Sequence, residues 1–435
     1  VIDVRDDWRT ATAAGHTRAS DGELLIGGVL ASDLARTYGT PVFVIDLDVV
    51  DRAIDTFLSA CAPHGIDIAY AGKAFLCTAF ARHLAARELD LDVCSLGELL
   101  TAERAGFPPE RLAFHGCGKS DAELDAAAAG RVGLTIVDNR EELERLAERA
   151  QSAAPLTIIL RVNVGIEAHT HDFIRTTGEN TKFGFPLDDL DAAFAQLRGL
   201  PQLRCVGLHA HIGSQIAETD PYHANLRTLL ETAARARTHG IAIERLIVGG
   251  GYGVEEAPGE DAPIDIATLF TGLAADAARF AAELSIPTPR LAIEPGRAIV
   301  ARAGTSLYSV MAVKRQGRRR FVIADGGIAD NPRPALYDAY HHPLVARSAA
   351  GAAASEATVC GRSCENDVLV TAVLPNSLAS GDLLVLCTTG AYTFAMASNY
   401  NRFGKPPVVF VGQGKHRLAV RGEHPDDVLR NDLDA

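Results

Sequence analysis

The sequence predicts an α/β chain of two domains: a (β/α)8 TIM barrel over residues 40–297, then an all-β domain of sandwich or barrel-like form. Three observations carry this. Between Pro41 and Arg297, eight short β-rich runs alternate with Ala- and Leu-rich stretches of helical period, the pattern of parallel βα units. The repeats span about 250 residues, the size of such a barrel. Beyond Arg297 the long helical stretches cease, and β-like runs follow, separated by Gly, Pro and Asn. Residues 298–435 are therefore assigned to the β domain. Residues 1–39 are too short to fold alone and join it, with GELLIGGVLASDL as edge strand and short helix.

The strands are read by their ends. IDIAYAGK ends at Lys73, LDLDVCS at Ser95, RLAFHG at Gly116, LTIVDN at Asn139 and LTIILRVNVG near Gly165. CVGLHAHIG ends at Gly213, ERLIVGGG at Gly251 and RLAIEPGR at Arg297. Helices are expected at CTAFARHLAARE, GELLTAERAG, DAELDAAAAG, REELERLAERA and LDDLDAAFAQL, and over 222–238 and 266–284. Asn139 with its following acids is a helix N-terminus by chemistry as well as by period. In the β domain the strand runs are TSLYSVMAV, RRFVIAD, EATVCGR, DVLVTAVL, GDLLVLCTT and PVVFVG. The basic run KRQGRRR, residues 314–320, reads as a solvated hairpin turn.

Composition narrows the class. With 435 residues, 47% hydrophobic and 22% charged, the chain can bury a large core. A formal net charge of −13 argues against nucleic acid or an anionic membrane as partner. The N-terminus has no basic region followed by an apolar one, and no apolar stretch is long enough to span a bilayer, so a cytoplasmic location is expected. Eight scattered cysteines without a CxxC pair suit reduced thiols better than a disulfide framework or zinc site.

The barrel gathers function at the C-terminal ends of its strands, which puts Lys73 of YAGKAF at the mouth. A strand-end lysine can simply snorkel to the rim. An amine in a partly desolvated mouth can also form an imine with a carbonyl, most usefully that of pyridoxal phosphate. Such a cofactor needs a phosphate cradle, a partner for its ring nitrogen and something against its ring face. Gly249, Gly250 and Gly251 follow the seventh strand, where bare backbone offers N–H groups to an anion, although a glycine triplet can also be an ordinary turn. In EPGR, Arg297 can complete the phosphate site while Glu294 meets the ring nitrogen, the alternative for Glu294 being a salt bridge with Arg161 or Arg297. HAHIGSQ sets His209 and His211 on one face. A His-x-His pair can bind a metal, but no carboxylate or third histidine is evident at matching strand ends apart from the distant HTH of 169–171, so no metal is expected. His211 suits stacking on the ring, and Ser214 can reach the phosphate.

Together these residues resemble the fold-type III pyridoxal-phosphate decarboxylases, most closely the diaminopimelate decarboxylase family. The resemblance runs from about Gly39 to the end and rests on YAGKAF, LDVCSLGEL, FHGCGKS, GIEAHTHDFI with KFGF, GLHAHIGSQ, GGGYG, EPGRAI, DGGIADNPRPALYDAYH, GRSCEND and GAYTFAMASNYN. It implies that Lys73 carries the cofactor, His211 stacks on it, Gly250 and Gly251 cradle its phosphate and Glu294 meets the ring nitrogen. It also implies a homodimer in which Cys364 and Glu365 enter the partner's site, Cys364 returning a proton to Cα. Read alone, Cys364 would be an ordinary buried thiol. Arg297, Arg333 and Tyr337 correspond to contacts with the substrate's distal end, and Tyr392 to a contact near the cofactor.

Three departures from the family pattern stand out. Cys117 and Gly118 replace the two asparagines of FHGNNKS, Val164 replaces a proline, and CEND is one residue shorter than the CESGD-like stretch and lacks its serine. The resemblance implies that this stretch abuts the substrate's far end, so it bears on specificity. The expected reaction is decarboxylation of meso-2,6-diaminopimelate to L-lysine and carbon dioxide. The alternatives are decarboxylation of ornithine, lysine, arginine, carboxynorspermidine or a modified amino acid, a racemase, against which Glu294 argues, and a non-catalytic cofactor-binding protein, against which the β domain with Cys364 argues.

Overall fold

Eight short strands pair in parallel and close into a ring, as the eight apolar runs predict. They are β1 (Asp67–Ala71), β2 (Asp90–Val93), β3 (Leu112–Phe114), β4 (Leu134–Val137), β5 (Leu156–Asn163), β6 (Leu203–His209), β7 (Arg245–Ile247) and β8 (Arg290–Ile293). Each pairs with the next, and β8 returns to β1 with Ala292 opposite Asp67. The computed structural model describes residues 15–150, 154–166, 181–256, 263–347 and 352–433. Two compact units divide the chain: 55–253 with 263–296, which is the barrel, and the remainder, which is mostly β.

Helices follow the first seven strands where the periodicity puts them: Thr78–Ala86, Leu96–Ala105, Asp121–Ala128, Arg140–Arg149, Leu190–Leu197, Asp220–Thr238 and Ile266–Glu283. Their starts are set by local chemistry. The side chains of Ser95, Ser120 and Asn139 accept hydrogen bonds from the N–H groups of Glu98, Glu123 and Glu142. At Ser120 the Glu123 carboxylate accepts from the Ser120 N–H in return, at 2.8 Å, completing a capping box. Ser120→Ala is therefore expected to cost about 1 kcal/mol of stability, read as a lower urea midpoint at unchanged slope.

Inside the ring, Ile136, Ile159, Val206, Ile247 and Ala292 form an aliphatic cluster, with Leu134 against it. Side chains two apart on a strand share a face, so Arg161 follows Ile159 and Glu294 follows Ala292 toward the C-terminal end. An apolar plug thus lies beneath a layer of polar groups. On β6 the register shifts between Cys205 and Gly207, which stand opposite the consecutive residues Ile158 and Ile159 of β5. This bulge leaves Val206 as the extra residue and brings His209 opposite Arg161. Gly207 is required there, because a Cβ would lie 2.5 Å from the Arg245 carbonyl oxygen.

The second unit is built around a sheet ordered Val368–Pro375, Ala354–Cys360, Arg319–Ala324, Gly304–Gln316, Val42–Asp46, Val408–Gly412, Lys415–Val420. Leu383–Cys387 pairs on Gly304–Gln316 and carries Pro343–Val345. All six expected β runs are strands, and the basic run straddles a hairpin turn at Gly317–Arg318, with Gln316 opposite Arg319, although Arg320 is buried and donates to the Leu374 and Pro375 carbonyls rather than facing solvent. The barrel's start differs from the expected residue 40. Val42–Asp46 pairs with Gly304–Gln316 and Val408–Gly412 instead, and the unit boundary falls after Ile54, inside the helix Leu47–Cys61. All five residues of that strand are buried, so VFVID carries no alternation to say which sheet it joins. Among the described residues, no helix is long and apolar enough to cross a membrane.

Candidate active site

β1 stops at Ala71, and the tight turn Gly72–Ala74 turns Lys73 outward between buried neighbours. A Cβ at Gly72 would lie 2.7 Å from the Asp92 carbonyl oxygen, so glycine lets the turn hug β2. Lys73 lines a cavity of about 390 Å³ together with Asp92, His115, Arg161, His209, His211 and Glu294. Each comes from a strand or the residues just beyond it, as the architecture requires.

The floor of this cavity is a buried polar cluster. Glu294 Oε2 lies 3.0 Å from His209 Nε2, and Glu294 Oε1 lies 3.3 Å from His115 Nε2. His115 Nε2 is also 3.4 Å from Asp92 Oδ1. Burial holds both imidazoles neutral: His115 falls to about 4, opposed by the Glu294 charge, and His209 drops well below its usual value, helped by the Arg161 charge. A neutral His209 facing a carboxylate must carry its proton on Nε2. Burial, then the neighbouring Glu294 charge, pushes the Asp92 carboxyl well above its usual range. Only one member of the histidine pair, His209, gains ligand-type neighbours, and His211 is not part of that grouping. His115, His209 and Glu294 bring one ligand atom each within 4.8 Å of one another, a grouping invisible until β8 closes on β1. The HTH of 169–171 lies outside the described residues, as does most of GIEAHTHDFI.

Gly249, Gly250 and Gly251 leave β7 as a loop that no side chain could line. Gly249 and Gly251 have φ of +79° and +92°. A Cβ on Gly250 would lie 2.1 Å from the Glu294 carbonyl oxygen, and one on Gly251 2.3 Å from that of Gly213. His211 Nδ1 accepts from the Gly250 N–H at 3.2 Å. The Tyr222 hydroxyl donates to the Gly250 carbonyl at 3.1 Å, anchoring the loop to the helix Asp220–Thr238. Ser214 is half-buried and follows Gly213, the residue against which Gly251 packs. His211 is neutral through burial, then through the Lys73 charge.

In the β unit the structure brings four of the expected residues together. Arg297 is buried and donates to Glu256 Oε1 at 2.9 Å, with its guanidinium 5.0 Å from the Tyr392 ring centre. Arg333, also buried, stands 5.6 Å from the same ring and 5.3 Å from that of Tyr337. Burial, with the Arg297 charge beside it, lowers the Arg333 guanidinium to about 10. Its Nε is a buried donor with no partner among the described residues. Cys364 and Glu365 lie on an exposed turn after Ala354–Cys360. The Cys364 N–H donates to Asn401 Oδ1 at 3.0 Å, and the Tyr400 hydroxyl donates to Glu365 Oε1 at 2.5 Å. Cys364 is exposed rather than buried.

Sequence reasoning missed Asp92, His115 and Arg161 as site residues, and it saw in His209 only a metal ligand. Their signal was positional, since each is a polar residue within or just past a strand's C-terminal end. The arrangement fits pyridoxal phosphate on grounds of its own. Lys73 opens into the cavity, the glycine loop offers backbone at close approach, and Glu294 Oε1 is a buried acceptor without a hydrogen bond among the described residues, suited to a protonated ring nitrogen.

Comparison with known proteins agrees. Residues 47–301 match the pyridoxal-dependent decarboxylase, pyridoxal binding domain. The diaminopimelate decarboxylase of Actinosynnema pretiosum subsp. auranticum is 43% identical over 96% of this chain and 94% of its own. That of Bacillus subtilis is 37% identical over 95% of each. Among solved structures, the diaminopimelate decarboxylase of Helicobacter pylori complexed with L-lysine is 30% identical, with a TM-score of 0.84 over 92% of this chain and 98% of that one. The enzyme of M. jannaschi has a TM-score of 0.89 at 26% identity, over 98% of this chain and 99% of that one.

Proposed function

The chain belongs to the pyridoxal-dependent decarboxylases, the family that includes the diaminopimelate decarboxylases, and from that premise we propose that it converts meso-2,6-diaminopimelate to L-lysine and carbon dioxide. Bound pyridoxal phosphate supplies the sink for the electron pair released when the bond between Cα and the carboxylate breaks. Lys73 Nζ would hold the cofactor's carbonyl carbon and yield it to the substrate amine. Gly250, Gly251, Ser214 and Arg297 would bind the phosphate, His211 would lie against the ring, and Glu294 would keep a proton on the ring nitrogen. Cys364 Sγ would deliver a proton to Cα. We place these roles in a homodimer, with Cys364 and Glu365 of the partner subunit completing each site. Eight free thiols suit a reducing compartment, the cytoplasm.

The observation that carries the substrate is the pair of buried guanidiniums. Arg297 and Arg333 flank Tyr392, and Glu256 is the carboxylate that meets Arg297. A second, distal carboxylate on the substrate would satisfy the planar fork of Arg333. Diaminopimelate has one, and ornithine and lysine do not. The test is mass-spectrometric product analysis of the purified protein with pyridoxal phosphate and meso-diaminopimelate, ornithine, lysine or arginine. Lysine formed from diaminopimelate, with no product from the other three, is the expected result. Product from ornithine or lysine at a comparable rate would refute the assignment of Arg333 and trace specificity to the shortened CEND turn.

A further inference from the structure

We propose that His209 is a positioning residue for the cofactor's ring nitrogen, acting through its hydrogen bond to Glu294. The inference rests on the reading that Glu294 meets that nitrogen. Two oxygens of one carboxylate are treated differently here: Oε2 accepts from His209 Nε2 at 3.0 Å, while the buried Oε1, 3.3 Å from His115 Nε2, accepts no hydrogen bond among the described residues. A carboxylate tied at one oxygen has its plane fixed and presents the other in a single direction. Untied, it would turn about its terminal torsion, which is broad and has no deep staggered wells.

His209 is itself held. It pairs with Arg161 of β5 and Ile247 of β7 and is 1% exposed, and the His115 ring packs edge-on against it at 5.2 Å. His209 Nδ1 has no hydrogen bond among the described residues, so the ring's one proton goes to Glu294. Because both imidazoles stay neutral, they add no cation that would compete with a protonated ring nitrogen for the Glu294 charge. The bulge at Val206 matters here too, since it sets the register in which His209 faces Arg161 and Glu294.

The cofactor-free protein would be titrated with pyridoxal 5′-phosphate and with its 1-deaza analogue, in the parent, His209→Ala and His209→Gln. The parent should prefer pyridoxal phosphate, because only that ligand can donate to Glu294. In His209→Ala its affinity should fall about tenfold, the size of one hydrogen bond to a charged group, while the deaza analogue binds as before. His209→Gln, which keeps an N–H donor, should recover most of the preference. Equal weakening of both ligands in His209→Ala would mean that the histidine is merely structural and would overturn the inference. So would an unchanged preference. A parent that binds both ligands equally would remove the role of Glu294 and the inference with it, whereas a parent that binds neither would sink the proposed function itself.

Discussion

Lys73→Ala is expected to abolish turnover. An amine delivered by the protein acts at an effective molarity of about 10⁵ M or more, so losing it should lower kcat at least about a thousandfold. Borohydride reduction followed by peptide mass spectrometry should find the cofactor attached to the peptide holding Lys73 in the parent and to no peptide in the variant. Full activity in Lys73→Ala would remove the lysine from the reaction. The reason for a large effect is local. Lys73 stands on the turn Gly72–Ala74, pinned by the close approach of Gly72 to the Asp92 carbonyl and flanked by buried Ala74 and Phe75. No other lysine lines the cavity, so among the described residues none stands ready to replace it.

Cys364→Ala should slow turnover by roughly 10² to 10⁴, the usual worth of a positioned proton donor, and leave pyridoxal phosphate affinity unchanged. The split between the two readouts is the point. Cys364 is exposed, and its N–H is fixed by Asn401, so removing the thiol takes away neither core packing nor that hydrogen bond. A variant that no longer binds the cofactor would make the thiol structural. One that turns over at the parent rate would move the proton donor elsewhere.

Much of this architecture was legible in the sequence because its signals are local. Apolar runs, helical period and caps such as Ser120 and Asn139 act over a few residues, and they placed all eight barrel strands and the helices between them. Lys73, His211 and Glu294, singled out for standing at strand ends, line one cavity. What escaped the reading depends on partners far along the chain. His115 and His209 meet Glu294 only because β8 closes on β1 and a bulge shifts β6. Arg297 reads as a cofactor ligand, and nothing near it foretells its ion pair with Glu256. Val42–Ile45 is an unbroken apolar run ahead of Asp46, and it fits either sheet until partners are known.

That strand sets a timetable for the chain's birth. Val42–Asp46 is made early, yet one of its two sheet neighbours, Val408–Gly412, is synthesised about 360 residues later. At ribosomal rates of about 5–20 residues per second, the wait is roughly 20 to 70 s. The barrel's own strands and helices can meet within that interval, since all of them lie before residue 297. Until Gly304–Gln316 is made the nascent VFVID segment has no ladder to join, and its second edge stays open until Val408–Gly412 follows, which makes it a stretch in need of protection by chaperones during translation.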